Sequence, residues 1–414
     1  MKGVDDTDSQ RLTASARRAL SSAVHRKPRF LIIGAGRRGT AYASAVRRER
    51  LPAIIAAVAE PLQSTRISFG KKYVWDDGAP REDQSFDSWQ DFLDYESKRR
   101  QAEASGEEVY AGIDGIIVCT QDQTHKEILQ AFGPLKLHVL SEKPIATSLQ
   151  DCQDIYVSLG GATPETIFST GHVLRYSPHN MLLRKLLLED RSCDWSAKKL
   201  YLEKLYDKGE RDWPICVVVP DIEDITATLG TDHGRAVLEE VLSTDYDAST
   251  PRDIIESKQW YGRCVWESDN DVLDDQIVTL TWDDDSGAVG NEEFTDRGPK
   301  TAIFHMAAFT EAQSKRRGKI SGTHGEMQYD SNEIRVYTFD RFRDPGAAKV
   351  FIPPTASGGH EGGDGGLMNN FSRAVEAVIN GELSVEQAQA RHVGCTLKEA
   401  FMSHAMVSLA GERA

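Results

Sequence analysis

The sequence has little that would commit it to a disulfide scaffold, a zinc knuckle or a membrane. Its six cysteines (Cys119, Cys152, Cys193, Cys216, Cys264 and Cys395) are scattered over 414 residues without CxxC spacing, and no run of 18 apolar residues occurs. Basic charge is in deficit: 49 Lys+Arg stand against 64 Asp+Glu, a formal −15. Residues 1–28 carry six basic and three acidic side chains, a local +3, which leaves −18 for the rest. That balance argues against a nucleic-acid or anionic-membrane surface. There is no internal repeat, and the one low-complexity tract is SGGHEGGDGG at 357–366. No nucleophile elbow anchors a Ser-His-Asp set, so hydrolase chemistry has no support. With 40% apolar positions the chain is long enough for two domains with cores.

Residues 1–28 lack an apolar segment of the kind a secretory signal needs. Acids are absent from Ser9 to Arg29, as in an amphipathic transit peptide, but Asp5, Asp6 and Asp8 argue against one. A disordered arm on a cytoplasmic protein is expected. From Arg29 the pattern alternates: RFLIIGAG, a helix, AIIAAVAE, a helix, then after a polar stretch GIDGIIVCT, KLHVLSE and TIFSTGHV with helices between. Short apolar runs separated by amphipathic segments predict a doubly wound parallel sheet over 29–170. The polar stretch from Trp75 to Gly112 reads as an insertion carrying an exposed helix. Beyond 171, after a helical segment near 180–190, DQIVTLTW, KTAIFHMAAF, RGKISG, EMQYD, EIRVYTF and AKVFI follow closely, and the last fifty residues are helical. The expected fold class is an α/β Rossmann domain followed by an α+β domain, 171–414, with an open, mainly antiparallel sheet. Apolar residues on its strands (among Ile277, Val278, Leu280, Trp282, Ile303 and Phe304) exceed what one layer of helices can cover, so a homo-oligomer is expected through this sheet.

The sharpest local signal is Gly34-Ala35-Gly36-Arg37-Arg38-Gly39, directly after the strand FLII and opening a helix. In that context the first glycine makes the tight turn, the second lets a pyrophosphate approach the backbone, and the third lets helix pack on strand. Glu60 closes the next strand, 24 residues after Gly36, where a carboxylate accepts ribose hydroxyls and repels a 2′-phosphate. NAD is therefore favoured over NADP, although Arg66, six residues on, leaves NADP open. Eight acids and no base between Glu267 and Asp285 read as solvated loops flanking a strand, since the calcium-loop glycine and spacing are absent; no metal is expected. His172 reads as a packed core histidine, and Asp232 and His233 as surface residues.

The run HVLSEKPIA at 138–146 resembles the EKP signature of the Gfo/Idh/MocA oxidoreductases. GAGRRG, VAEP and IIVCT agree with the same family. So, in order, do GHVLRYSP (171–178), SAKKLYL (196–202), YGRCVWESDNDVLDDQ (261–276), AAFTE, ISGTHGEM and HEGGDGGLMNNF (360–371). The resemblance implies a dehydrogenase that binds a nicotinamide cofactor in its first domain and lays a sugar, inositol or related polyol across the sheet of its second. It assigns Lys143 as the catalytic group, because an ammonium at the C-terminal edge of the sheet can hold and polarise the reacting oxygen. It places Gly34, Gly36, Arg37, Arg38, Gly39, Glu60, Thr120, Glu142 and Pro144 around the cofactor. Glu142 would orient the lysine or approach the nicotinamide ribose, and Arg175 and Tyr176 would face cofactor or substrate.

One family feature has no counterpart. The family's proton-relay histidine stands on a helix, usually four residues after an aspartate, and relatives carry that helix in a segment that this chain lacks: LLLED runs almost directly into RSCDWSAKK near 190–193. A segment lost in splicing, a true deletion and a recruited substitute base would each account for this. A short chain that binds cofactor with little or no turnover is expected, so a non-catalytic, dinucleotide-binding regulatory relative is the alternative reading. Should a substitute exist, His360 of HEGGD is the first candidate, although it precedes Asp364, the reverse of the family's order.

Overall fold

The computed structural model describes residues 25–161, 164–188, 199–205, 230–242, 251–252, 275–282, 300–307, 316–339, 348–354 and 359–411. The arm to residue 24, the join at 189–198, most of the acidic cluster and Cys193, Cys216 and Cys264 lie outside them. The chain forms two compact units, residues 1–180 with 355–414, and residues 181–354.

The first unit opens with β1 (Arg29–Ile33), α1 (Arg37–Arg48), β2 (Ile54–Ala59), α2 (Gln63–Tyr73), β3 (Ser85–Phe86), α3 (Trp89–Ala104), β4 (Gly115–Val118), α4 (His125–Phe132), β5 (His138–Ser141), α5 (Leu149–Ser158) and β6 (Phe168–Thr170). The strands lie in the order β3-β2-β1-β4-β5-β6, each pair parallel. Every residue of β1, β4 and β5 is buried, which is why these segments read as continuous apolar runs rather than alternating ones. Alternation survives in which face each residue serves. Phe30 and Ile32 belong to one core with Tyr42 and Val46 of α1, while Leu31 and Ile33 belong to the other with Ile128, Leu129 and Ile155.

The helix expected to be an exposed insertion is instead part of the second of these cores. Phe92 of α3 is buried, edge-on to Phe86 at 4.9 Å and stacked on Phe132 at 6.2 Å. Its polar composition misleads because Glu96 and Arg99 are buried as a pair, Arg99 Nε donating to Glu96 Oε2 at 2.7 Å while Arg100 donates to Oε1 at 2.8 Å. A charge neutralised in this way can be buried, which composition does not reveal.

The second unit contains most of α6 (Pro178–Leu188), then β7 (Lys199–Leu205), α7 (Thr231–Leu242), β8 (Asp275–Trp282), β9 (Lys300–Ala307), β10 (Arg316–Ser321), β11 (Gly325–Tyr329), β12 (Ile334–Thr338) and β13 (Lys349–Phe351). The strand order is β13-β12-β11-β10-β7-β9-β8, antiparallel except where β7 runs parallel to β9. Ile320 pairs with Met327 and Met327 with Val336, so the three share one face and meet Leu186 of α6 in a small core. Asp232 and His233 are exposed at the start of α7. None of the described helices is long and apolar enough to cross a membrane.

After β13 the chain returns to the first unit as α8 (Gly363–Ile379), α9 (Val385–His392) and α10 (Leu397–Gly411). A sequence boundary at 170/171 assigns these helices to the second domain; in the structure they complete the first. A parallel sheet must be covered on both faces. Leu367, Met368, Phe371 and Val375 of α8 fill one core, Phe371 stacking on Phe30 at 5.1 Å, and Leu397 and Ala400 of α10 enter the other. Gln389 of α9 acts as a substitute strand at the β6 edge, accepting from Phe168 N at 3.0 Å and donating to Phe168 O at 2.6 Å.

Candidate functional site

The loop between β1 and α1 is built by three glycines with three different surroundings. Gly34 has φ +91°, and a Cβ there would lie 2.8 Å from Cys119 O at the end of β4. A Cβ on Gly39 would lie 2.3 Å from Gly34 O, so the helix can sit against its own loop only without a side chain. At Gly36 a Cβ would meet nothing within 4 Å. The outer two glycines are thus explained by contacts within the protein, whereas the middle one faces open space at a helix N-terminus that no side chain caps. That opening is where a pyrophosphate can approach backbone amides.

Glu60 is buried at the end of β2, where Oε2 accepts from Ala35 N at 2.8 Å and Oε1 from Leu62 N at 3.0 Å. The carboxylate therefore stands fixed beside the glycine loop, with lone pairs left for ribose hydroxyls. Arg66, which leaves NADP open in the sequence, is itself buried. It donates to Glu60 O and pairs with Asp87 at 2.5 Å. Its guanidinium supports the loop from below and is not presented as a phosphate clamp.

Lys143 follows β5 at the C-terminal edge of the sheet, and its peptide bond to Pro144 is cis. Its side chain is exposed, with no partner for Nζ among the described residues, and its backbone N donates to Glu142 Oε2 at 3.1 Å. Thr120 Oγ1 accepts from Thr124 Oγ1 at 2.8 Å. The buried ring of His125 spans the two loops, 3.1 Å from Thr120 O and 2.8 Å from Pro144 O. This histidine ties the loop after β4 to the loop after β5.

Arg38 and Glu142, both expected beside the cofactor, have their charged groups committed to each other. Arg38 Nε donates to Glu142 Oε1 at 2.7 Å, and Arg38 Nη2 donates to Asp364 Oδ1 and to Tyr42 Oη, each at 2.9 Å. The Tyr42 hydroxyl also donates to Glu142 Oε1. Burial opposes the Arg38 charge, but Tyr42, Glu142 and Asp364 outweigh it and hold the guanidinium protonated beyond its ordinary range. Burial, reinforced by Glu142, pushes the Tyr42 phenol well up, so it remains a donor. Burial also works against the Asp364 carboxylate, yet hydrogen bonds from His360 and Arg38 keep its pKa below the usual value. His360 Nδ1 lies 3.2 Å from both Asp364 oxygens.

Arg175 and Tyr176 make bonds within the first unit. The Tyr176 ring is buried, and its hydroxyl accepts from Gly394 N at 2.8 Å and lies 3.2 Å from Ser169 Oγ. Arg175 donates to Gly394 O at 2.8 Å and pairs with Glu399 at 3.3 Å. Both pin the returning helices. His172 is partly buried, its pKa lowered to about 4 by burial and by Arg175, His404 and Lys143; its Nε2 is buried without a hydrogen-bond partner. Burial and Glu142 push the Cys119 thiol well up, so it stays protonated.

Comparison with known proteins agrees with this architecture. Residues 28–160 match the model of the oxidoreductase family GFO_IDH_MocA, described by its NAD-binding Rossmann fold. A 77-residue stretch is 35% identical to 2,7-anhydro-N-acetylneuraminate hydratase of Escherichia coli (strain K12), spanning 19% of this chain and 20% of that protein. Among solved structures, levoglucosan dehydrogenase in complex with NADH superposes with a TM-score of 0.59 at 14% identity, over 94% of this chain and 98% of that one. An inositol dehydrogenase homolog from Azotobacter vinelandii complexed with NAD+ gives 0.56 at 13%, over 95% and 97%. An oxidoreductase from Sinorhizobium meliloti gives 0.58 at 13%, over 94% and 97%. Such identities speak to fold alone; the family match covers residues 28–160, which include the glycine loop, Glu60 and the EKP segment. Residues 28–160 are thus similar to the NAD-binding Rossmann domain of the Gfo/Idh/MocA oxidoreductases.

Proposed function

We propose that this chain is an NAD-dependent oxidoreductase acting on a sugar, inositol or related polyol, working in the cytoplasm as a homo-oligomer. The observation that carries the reading is one sheet edge bearing three features. These are a glycine loop open at Gly36, a carboxylate fixed at Glu60, and the exposed Lys143 with its backbone amide anchored on Glu142. Gly34, Gly36 and Gly39 with Glu60 and Thr120 would hold the cofactor, whose nicotinamide supplies a hydride acceptor when bound. Lys143 Nζ would hold the hydroxyl oxygen of the substrate and favour the negative charge that develops there. The substrate class is supported by the levoglucosan and inositol dehydrogenase relatives in fold.

Titration of purified protein with NADH and NADPH, followed by nicotinamide fluorescence, tests the cofactor half. Binding of NADH at micromolar to sub-millimolar concentration is expected, and no binding of either at millimolar concentration would overturn it. A second reading, a dinucleotide-binding regulatory relative, is favoured by a specific observation: no DxxxH string follows Arg175 before the run CDWSAKKLYL. Turnover separates the two readings. Reduction of NAD by a polyol supports the enzyme, and tight NADH binding without it supports the regulator.

A further inference from the structure

The buried cluster around Arg38 does more than close the glycine loop, because it ends in a histidine. Arg38 links Glu142 of the EKP segment to Asp364 at the start of α8, and Asp364 accepts from His360. His360, Glu361 and Gly362 all occupy the left-handed region (φ 53°, 58° and 82°). For two successive residues with a Cβ that is an uncommon conformation, of a kind that persists where surrounding structure imposes it and that clusters at functional sites. The surroundings are tight. A Cβ on Gly363 would lie 2.3 Å from Val173 O, and one on Gly366 would lie 2.5 Å from Tyr176 O. The turn therefore packs on the 3-10 segment Val173–Tyr176, two residues after Gly171, which itself abuts the Glu142 carboxylate. Asp364 is buried, whereas the His360 side chain is about half exposed at 48%, and its Nε2 has no partner among the described residues.

We infer that His360, oriented by Asp364, is the proton acceptor of this chain, standing in for the relay helix that the sequence lacks. The inference rests on the oxidoreductase reading above. A neutral imidazole that donates Nδ1–H to Asp364 has its lone pair on Nε2, the tautomer a general base needs. In alcohol oxidation the substrate C–H bond breaks, its hydride passing to the bound nicotinamide, and the C=O bond forms as the O–H bond breaks. The released proton goes to His360 Nε2, and Asp364 stabilises the resulting imidazolium. Arg38 is a positioning residue: it holds Asp364 toward His360 with one nitrogen and Glu142 beneath Lys143 with another.

The test uses the full chain with NAD and with myo-inositol, levoglucosan and D-glucose. Turnover of at least one polyol is expected, where the missing relay helix alone would leave little or none. His360→Gln should lower kcat about 100-fold while NADH affinity stays within about twofold of wild type. His360→Ala should regain about tenfold in rate with added imidazole, a rescue that a purely structural role would not give. A readout independent of activity is ¹⁵N-histidine NMR. The ring signals absent from His360→Gln should report the Nδ1–H tautomer, and Asp364→Asn should abolish that preference. Wild-type rate in His360→Gln, no imidazole rescue, an Nε2–H tautomer, or NADH binding without turnover of any of the three polyols would each overturn the proposal. Failure to bind NADH would overturn the oxidoreductase reading beneath it.

Discussion

Lys143 aside, the charged residues Glu60, Arg66, Arg38, Glu142 and Asp364 at the candidate site each have definite partners, and the partners decide what substitution should do. Glu60 is held by two backbone amides and Arg66 is occupied by Glu60 O and Asp87, so an acid is presented at the strand end and Arg66 is not offered to a 2′-phosphate. NAD should therefore bind at least about tenfold better than NADP, about 1.4 kcal/mol, and Glu60→Ala should narrow the ratio; fluorescence titration of both nucleotides measures it, and an unchanged ratio would place Glu60 away from the ribose. Arg38→Ala would strand two buried carboxylates, Glu142 and Asp364. Removing one member of such a cluster costs about 3–5 kcal/mol, so a large drop in the denaturant midpoint is expected, with Arg38→Lys recovering only part of it. The glycine loop and Glu60 were legible from sequence because both sit next to strand ends in the chain. The Arg38 network was not, since its partners lie 104 and 326 positions away and a GxGxxG string says nothing of which arginine turns inward.

At the scale of elements, the junction of β5 and β6 contains a histidine with a measurable consequence. His138 is buried with Nδ1 accepting from Ile167 N at 2.9 Å, and burial lowers its pKa to about 4. Its folded pKa lies below the unfolded value near 6.5, so its contribution is complete above about pH 6.5 and is lost as pH falls toward 4. Over that window it should cost on the order of 3 kcal/mol of stability. Thermal melts from pH 7.5 to 4 should show the decline, and His138→Asn should flatten it. A decline of the same size in the variant would assign it to other groups, His172 first. In the second sheet, β8 leaves Ile277 67% and Trp282 44% exposed on opposite faces of the strand, and Trp282 shares its face with Val278 and Leu280, both only partly buried. If the face of Val278, Leu280 and Trp282 joins copies of the chain, sedimentation should show an oligomer at micromolar concentration and Trp282→Asp should shift it toward monomer. The helix 89–104 marks the limit of pattern reading at this scale, because its buried Glu96–Arg99 pair looks like a solvated face in a linear sequence.

The molecule as a whole is discontinuous: its first unit is assembled from both ends of the chain, with the second unit inserted between residues 180 and 355. Order along the chain suggested two consecutive domains, since the last helices follow the antiparallel strands directly. What that order omits is the requirement for a cover on each face of the parallel sheet, which α8 and α10 supply. Leu367, Met368, Phe371 and Val375 are almost fully buried. At roughly 1.5–3 kcal/mol for each such side chain, α8 alone contributes an amount comparable to the whole margin of a typical domain, about 5–15 kcal/mol. A fragment of residues 25–180 should therefore fail to fold, without a cooperative thermal transition and without NADH binding. A single chain joining 25–180 to 355–411 through a flexible Gly/Ser linker should melt cooperatively and bind NADH, because it restores both covers together with Asp364 and its bond to Arg38. Circular dichroism melts and nicotinamide fluorescence on the two constructions decide the matter, and a cooperative, NADH-binding 25–180 fragment would show that the returning helices are dispensable to the first unit.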